Sequence, residues 1–400
     1  MDPIYMDHHA TTPLDARVLD AMMPYLTHEY GNASSRTHPW GWHAEEAVDA
    51  ARQQVAAALN CRPDEVVFTG GATESNNLAI KGVAAAYRDR GKRHIVTTKV
   101  EHSAVREPCQ TLEGQGFAVT YLDVDRFGMV DPDDVRSAIT DETALISVIW
   151  AHNEIGTIQP LAEIGRIASD AGVLLHTDGV QAFAKYDSDV ERLGVDLIAL
   201  SAHKICGPKG VGALYVRKRR PRIRMTAQIE GGGQERKLRS GTLNVPGIVG
   251  LGKAVELYGE CRDDERRRVT GLRDRLRDAI LGSVDFVHLN GHPTERLYNN
   301  LNLSFEFVES ESLLMALRGI ALSSGSACTS ASMESSSALL AIGMDDSLAH
   351  SAVRFGVGRA NTADEVDAVA AAVVDAVARQ RELSPLYAMK RQGVDVMATE

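Results

Sequence analysis

Asp196-Leu197-Ile198-Ala199-Leu200-Ser201-Ala202-His203-Lys204-Ile205-Cys206-Gly207-Pro208 is the stretch on which the fold of this chain turns. The apolar run after Asp196 reads as a strand buried on both faces, and Gly207-Pro208 closes it in a turn. Lys204 therefore stands just past the carboxyl end of a buried strand, where open α/β sheets bind ligands. Working outward, similar short runs recur at residues 66–69, 94–100, 144–150, 173–177 and 212–216. Alanine-rich stretches with helical spacing, residues 44–59 and 161–171, lie between several of them. Strands alternating with helices predict an α/β domain with a mainly parallel sheet covered on both faces. From about residue 255 the texture changes to a charged amphipathic helix (263–278), strand-like runs at 284–289 and 301–307, and a closing alanine-rich helix at 364–383. The expected division is a large domain over residues 15–255 and a smaller α+β domain over 256–400 joined by residues 1–14.

By itself the Lys204 segment also fits a surface lysine in a turn. A free lysine has a pKa near ~10.4 and is a poor nucleophile, so catalysis requires a site that removes its proton or consumes it in a Schiff base. Two other strand ends favour the second possibility. Residues 173–177 end in Asp178, a carboxylate placed to pair with a protonated pyridine nitrogen; an ordinary turn aspartate is the plainer reading. Residues 66–69 run into Gly70-Gly71-Ala72-Thr73-Glu74-Ser75 and an apolar helical stretch. Glycines before a helix start leave backbone N–H groups for a phosphate, whereas Thr73 or Ser75 could equally serve as an ordinary cap. An amine, a carboxylate and a phosphate seat at the ends of one sheet point jointly to a pyridoxal phosphate enzyme. Cys328 lies in Ser323-Ser324-Gly325-Ser326-Ala327-Cys328-Thr329-Ser330, where nothing bulky buries it, and is the candidate nucleophile. An unperturbed thiol is only about 3% thiolate at pH 7, so a base or positive field must assist it. Arg354 alternates with apolar neighbours and suits a carboxylate-binding fork, or simply a surface strand. His102 follows a strand and could stack on a ring, move protons or cap a helix.

Composition narrows the function classes. Across 400 residues, 44% are hydrophobic, and 43 Lys plus Arg face 54 Asp plus Glu for a net charge of −11, which disfavours nucleic-acid and membrane-surface binding. The longest apolar segment is too short to span a bilayer and the start has no leader pattern, so a cytoplasmic location is expected. Five dispersed cysteines form no Cys-x-x-Cys, and no metal site is expected. Gly247 to Ala254 mimics a phosphate loop without its Ser or Thr and reads better as a helix start. His8-His9 reads as a pair of surface or interface histidines, and the basic run 217–224 as a solvated sheet edge.

These residues resemble the cysteine desulfurases of the aminotransferase class V family, of the housekeeping type that feeds iron-sulfur cluster assembly. Ala10-Thr11-Thr12-Pro13, Gly71-Ala72-Thr73-Glu74-Ser75, Glu101-His102, Asn153-Glu154-Ile155-Gly156, His203-Lys204, Arg239-Ser240-Gly241-Thr242 and the Cys328 stretch match its signatures in order. The resemblance implies the pyridoxal-phosphate-dependent transferase fold, fold type I, with pyridoxal 5'-phosphate as cofactor. It implies that Lys204 forms the internal aldimine, that Asp178 pairs with the pyridine nitrogen, and that His102 stacks on the ring and serves as acid and base. Asn153 and Gln181 would contact the ring oxygen side. Ala72, Thr73, Ser201 and His203 would hold the phosphate, with Thr242 reaching across from the second subunit of a homodimer. Arg354, with Asn153, would bind the carboxylate of L-cysteine, and Cys328, in a loop at 322–334, would take its sulfur as a persulfide for an iron-sulfur scaffold protein and other acceptors. A class V aminotransferase or selenocysteine lyase is the same-fold alternative, and a non-catalytic sulfur carrier the alternative of another kind. The chain departs from the pattern at Cys206, where tyrosine is usual, at Ser335-Ser336-Ser337, at Asn32-Ala33-Ser34 and in its tail.

Overall fold

The computed structural model describes residues 3–219, 221–324 and 335–393. Seven strands form one sheet in the order Val66–Thr69, Gly212–Val216, Leu197–Ser201, Leu174–Asp178, Thr143–Ser147, His94–Thr98, Ala118–Leu122. Gly212–Val216 is antiparallel to both its neighbours, and the remaining neighbouring pairs are parallel. Successive side chains of a strand point to opposite faces, and here both faces are apolar because both are covered. Val67, Leu145, Leu174, Leu197 and Leu214 face one core with Leu78, Ile80 and Val83 of helix Ala72–Tyr87. Phe68, Ile146, Leu175, Ile198 and Ala213 face the other, with Val48 and Val55 of helix Pro39–Leu59 and Leu251 and Val255 of helix Val245–Leu281.

The expected strand at 212–216 therefore lies inside the sheet, which corrects the reading of 217–224 as a solvated edge. Arg217 follows this inner strand, and its guanidinium donates to the carbonyls of Val190 and Val195. Gly247 to Ala254 occupies the first turns of the long helix, capped by Asn244, as its reading as a helix start requires. That helix passes from the core of the large sheet at Tyr258 to a second core at Val269. The second core lies against a four-stranded antiparallel sheet, Ser323–Ser324, Ala352–Gly356, Asn300–Phe305 and Val287–Leu289, closed by helix Ala363–Glu382. Near the N-terminus, Ile4–Tyr5 pairs in parallel with Ile320–Ala321, so the first residues are fastened to the far end of the chain.

One buried ion pair fixes the loop that carries Thr242. Arg52 donates to Glu235 through both terminal nitrogens, at 2.9 and 2.6 Å, and to the carbonyl of Val66 at 2.8 Å. Glu235 also accepts from the N–H of Phe68. Removing one partner leaves the other charge buried and uncompensated. Glu235→Ala is thus expected to destabilise the chain by about 3–5 kcal/mol, measured by denaturant unfolding. A loss below about 1 kcal/mol would mean that water replaces the carboxylate without penalty.

Candidate active site

The carboxyl ends of the large sheet open into a cavity of about 760 Å³, within the usual size for a small-molecule site. Lys204 ends a short 3₁₀ turn, Ala202–Lys204, immediately after strand Leu197–Ser201. Its Nζ donates to the backbone carbonyls of His9 and Ala10, the latter at 2.7 Å. Beside it Asp178, 5% exposed, accepts from Asn76 Nδ2 at 2.7 Å and from the Val180 N–H at 3.1 Å. Gln181 donates to the His9 carbonyl at 3.0 Å, and its Oε1 faces His9 Nδ1 at 3.2 Å.

Helix Ala72–Tyr87 opens on this cavity with Gly71 as its cap and no side-chain capping bond. The Thr73 or Ser75 cap considered from the sequence is therefore not formed. Ser75 instead pairs its hydroxyl with that of Thr69 at 2.8 Å. Gly71 has φ +150, and a Cβ on Gly212 would stand 2.3 Å from the Leu200 carbonyl oxygen and 2.9 Å from Gly71, so side chains are excluded where the turn crosses the sheet. The first-turn N–H groups, the positive end of the helix, are left facing the cavity without a protein acceptor from a cap.

Ala72, Thr73, Ser201 and His203 line the same cavity, as do His102, Asn153 and Arg354. His203 Nδ1 lies 3.1 Å from Thr11 Oγ1; burial, then the charges of Lys204 and Lys209, lower its pKa to about 4, so the ring is neutral. His102 caps helix Ser103–Glu113, and its Nδ1 accepts from the Ala104 N–H at 3.0 Å. Arg354 is 2% exposed; it donates to Asp7 at 2.8 Å and to the Asn153 carbonyl at 3.3 Å, and its Nε has no partner among the described residues. An inward fork, not a surface strand arginine, is what the structure contains. Thr242 is exposed and outside the lining of this cavity. Cys328 lies outside the described residues.

Several contributors were not anticipated. His8 and His9, expected at a surface or interface, are 4% and 1% exposed, because the N-terminal segment is drawn under the sheet ends by Gln181, Asn299 and Gly356. Asn76 bore a usable signal, a polar residue within a buried helix face shared with Ala79, Ile80 and Val83. Asp7 bore none, since its partner is 347 residues away. Cys206 N–H donates to Thr12 Oγ1 at 2.8 Å, and burial pushes its thiol up, consistent with packing. The three serines that depart from the family pattern are all engaged: Ser335 donates to Asp346, Ser336 caps residues Ser337–Ala341 and donates to Glu154, and Ser337 accepts from Arg106.

The aminotransferase class-V family model matches residues 4–369. The chain belongs to that family. Within it, the chain is 54% identical over 398 residues to the cysteine desulfurase IscS of Anaeromyxobacter dehalogenans (strain 2CP-C), spanning 100% of this chain and 98% of the relative. A solved NifS-like protein is 36% identical with a TM-score of 0.87, covering 94% of this chain and all of that one. A structure of SspA in complex with cysteine is also 36% identical, with a TM-score of 0.79 over 88% of this chain and 98% of that one. The class-V fold expected from the sequence, fold type I, is the one this chain adopts. No helix among the described residues is long and apolar enough to cross a membrane.

Proposed function

We propose that this chain is a cysteine desulfurase: with pyridoxal 5'-phosphate as cofactor it converts L-cysteine and the Cys328 thiol into L-alanine and a Cys328 persulfide. The observation that carries the reading is the meeting, in one cavity, of the Lys204 amine, the Asp178 carboxylate and a helix start without a side-chain cap. That donor set suits an aldehyde, a protonatable ring nitrogen and a phosphate in turn. Full-length likeness to a named cysteine desulfurase supports it. In this reading residues 15–255 form the cofactor domain and residues 256–400, with 1–14, the smaller domain. The working form is a cytoplasmic homodimer, the exposed Thr242 of each subunit serving the other's phosphate seat. The persulfide passes to an iron-sulfur scaffold protein and other acceptors.

Bound in this cavity, the cofactor supplies an electron sink for the carbon atoms of the amino acid. The protein does the rest. Lys204 would hold the aldehyde carbon and would hold or move a proton at its Nζ. Asp178, steadied by Asn76 and the Val180 N–H, favours a proton on the ring nitrogen. Ala72, Thr73, Ser201 and His203 hold the phosphate, and Asn153 and Gln181 the ring oxygen side. His102 would stack on the ring and serve as acid and base. Arg354 orients the substrate carboxylate.

The test is the mass of Cys328 peptides after the purified chain meets a small excess of L-cysteine, beside Lys204→Ala and Cys328→Ser. One sulfur gained on Cys328, alanine formed, and neither variant forming persulfide is the expected result. A plain Cys328 thiol with no alanine, in a protein whose cofactor still reacts with amino acids, would move the assignment to a class V aminotransferase.

A further inference from the structure

Glu101 lies between strand His94–Thr98 and His102 and is 5% exposed. Its Oε1 accepts from the Thr98 hydroxyl at 2.9 Å and from the Ile149 N–H at 2.8 Å. Its Oε2 has no hydrogen-bond partner among the described residues. It forms no ion pair with a cation among the described residues. From strand Leu174–Asp178, separated from His94–Thr98 by strand Thr143–Ser147, comes Asp178, of its own sign. His176 stands two residues before Asp178 on that strand and is held neutral by burial, at about 3. From helix Ser103–Glu113 comes Cys109, a thiol pushed up to about 12. A buried carboxylate with two hydrogen bonds, no cation and a like charge beside it favours its neutral form.

We propose that Glu101 keeps its proton at neutral pH and acts as a positioning residue, a neutral acid that ties the His102 turn to the cavity wall at Ile149 without placing a second negative charge beside Asp178. This rests on the reading of the cavity as a cofactor site. The two acids differ in their donors: Asp178 accepts on both oxygens, from Asn76 and the Val180 N–H, whereas Glu101 accepts on Oε1 alone. Burial, only partly opposed by the two hydrogen bonds, raises the Glu101 pKa to about 8, in line with this. The consequence for stability follows in sign. The folded state binds this proton more tightly than the unfolded chain, so the stabilisation is present below the unfolded value and is lost as pH rises toward about 8.

The test compares the full-length wild type with Glu101→Gln and Glu101→Ala. Glutamine keeps an oxygen for Thr98 and Ile149 and puts a neutral donor where Oε2–H stands. Infrared difference spectra near pH 6.5 are expected to show one protonated carboxylic-acid band in the wild type that Glu101→Gln lacks. Glu101→Gln should also flatten the fall in melting temperature between about pH 5 and pH 8. It should bind pyridoxal phosphate within about threefold of wild type, while Glu101→Ala weakens binding by about thirtyfold, the scale of two lost buried hydrogen bonds. The proposal fails if no such band is lost, or if Glu101→Gln weakens the cofactor as much as alanine does. Should Glu101→Ala not fold, the glutamine variant decides through its band and melting profile. Neither readout needs cofactor, so a wild type that binds none overturns the functional reading while the proton on Glu101 is still settled.

Discussion

Lys204→Ala is expected to lower persulfide formation on the order of 10⁴-fold or more, because the variant lacks the amine that this reading assigns to hold the cofactor covalently and to move a proton beside it. The loss should fall on chemistry. The Nζ of Lys204 also donates to the carbonyls of His9 and Ala10; its removal leaves the Ala10 carbonyl short of a donor, at a cost of about 1–3 kcal/mol if water does not reach it, while the His9 carbonyl keeps Gln181. A melting curve separates that effect from catalysis. A small primary amine added to the folded variant can enter the vacated space and should restore part of the rate. Activity within about tenfold of wild type in a folded Lys204→Ala protein would remove the residue from the mechanism.

The strands of the large sheet were legible because both faces are buried and nothing else uses short apolar runs so regularly. Residues 66–69 and 212–216 match the observed strands at both ends. Ala118–Leu122 was not legible: it is the outer strand, mostly half-exposed, and its mixed side chains form no clear apolar run. Helix Val245–Leu281 was read in two pieces, a start at Gly247 to Ala254 and the charged half at 263–278, since its first turns carry Gly247, Gly250 and Gly252, which lower helical signal while letting neighbours approach closely. Lys204, Asp178 and the start of helix Ala72–Tyr87 were readable because each follows a recognisable strand, and position at a strand end carries function in such sheets. His9, Asp7 and Glu101 were not. Their roles come from the N-terminal segment crossing the sheet ends and from one turn docking on the next strand, contacts between residues far apart in sequence that no local period records.

Arg354→Lys carries the second large effect. Arg354 sits in the middle of strand Ala352–Gly356, opposite Asn302 on one side and Ser323 on the other, so its direction is fixed by strands on both flanks. One terminal nitrogen is committed to Asp7 and the other reaches the Asn153 carbonyl, while Nε is unmatched. A guanidinium can keep Asp7 neutralised and still present further donors in a plane to a substrate carboxylate. Lysine keeps the charge and satisfies Asp7, which guards against an uncompensated half-buried carboxylate, but it has no second arm. The lost charge-assisted hydrogen bonds are worth about 1.5–3 kcal/mol, so KM for L-cysteine should rise by roughly 10- to 150-fold. Cofactor affinity should change little, because Arg354 faces the substrate carboxylate in this arrangement. Steady-state kinetics over a wide cysteine range, with a cofactor titration and a melting curve alongside, distinguish the outcomes. A KM within about threefold of wild type, with a lowered melting temperature, would make the guanidinium a strut for Asp7 and leave the substrate carboxylate to other donors in the cavity.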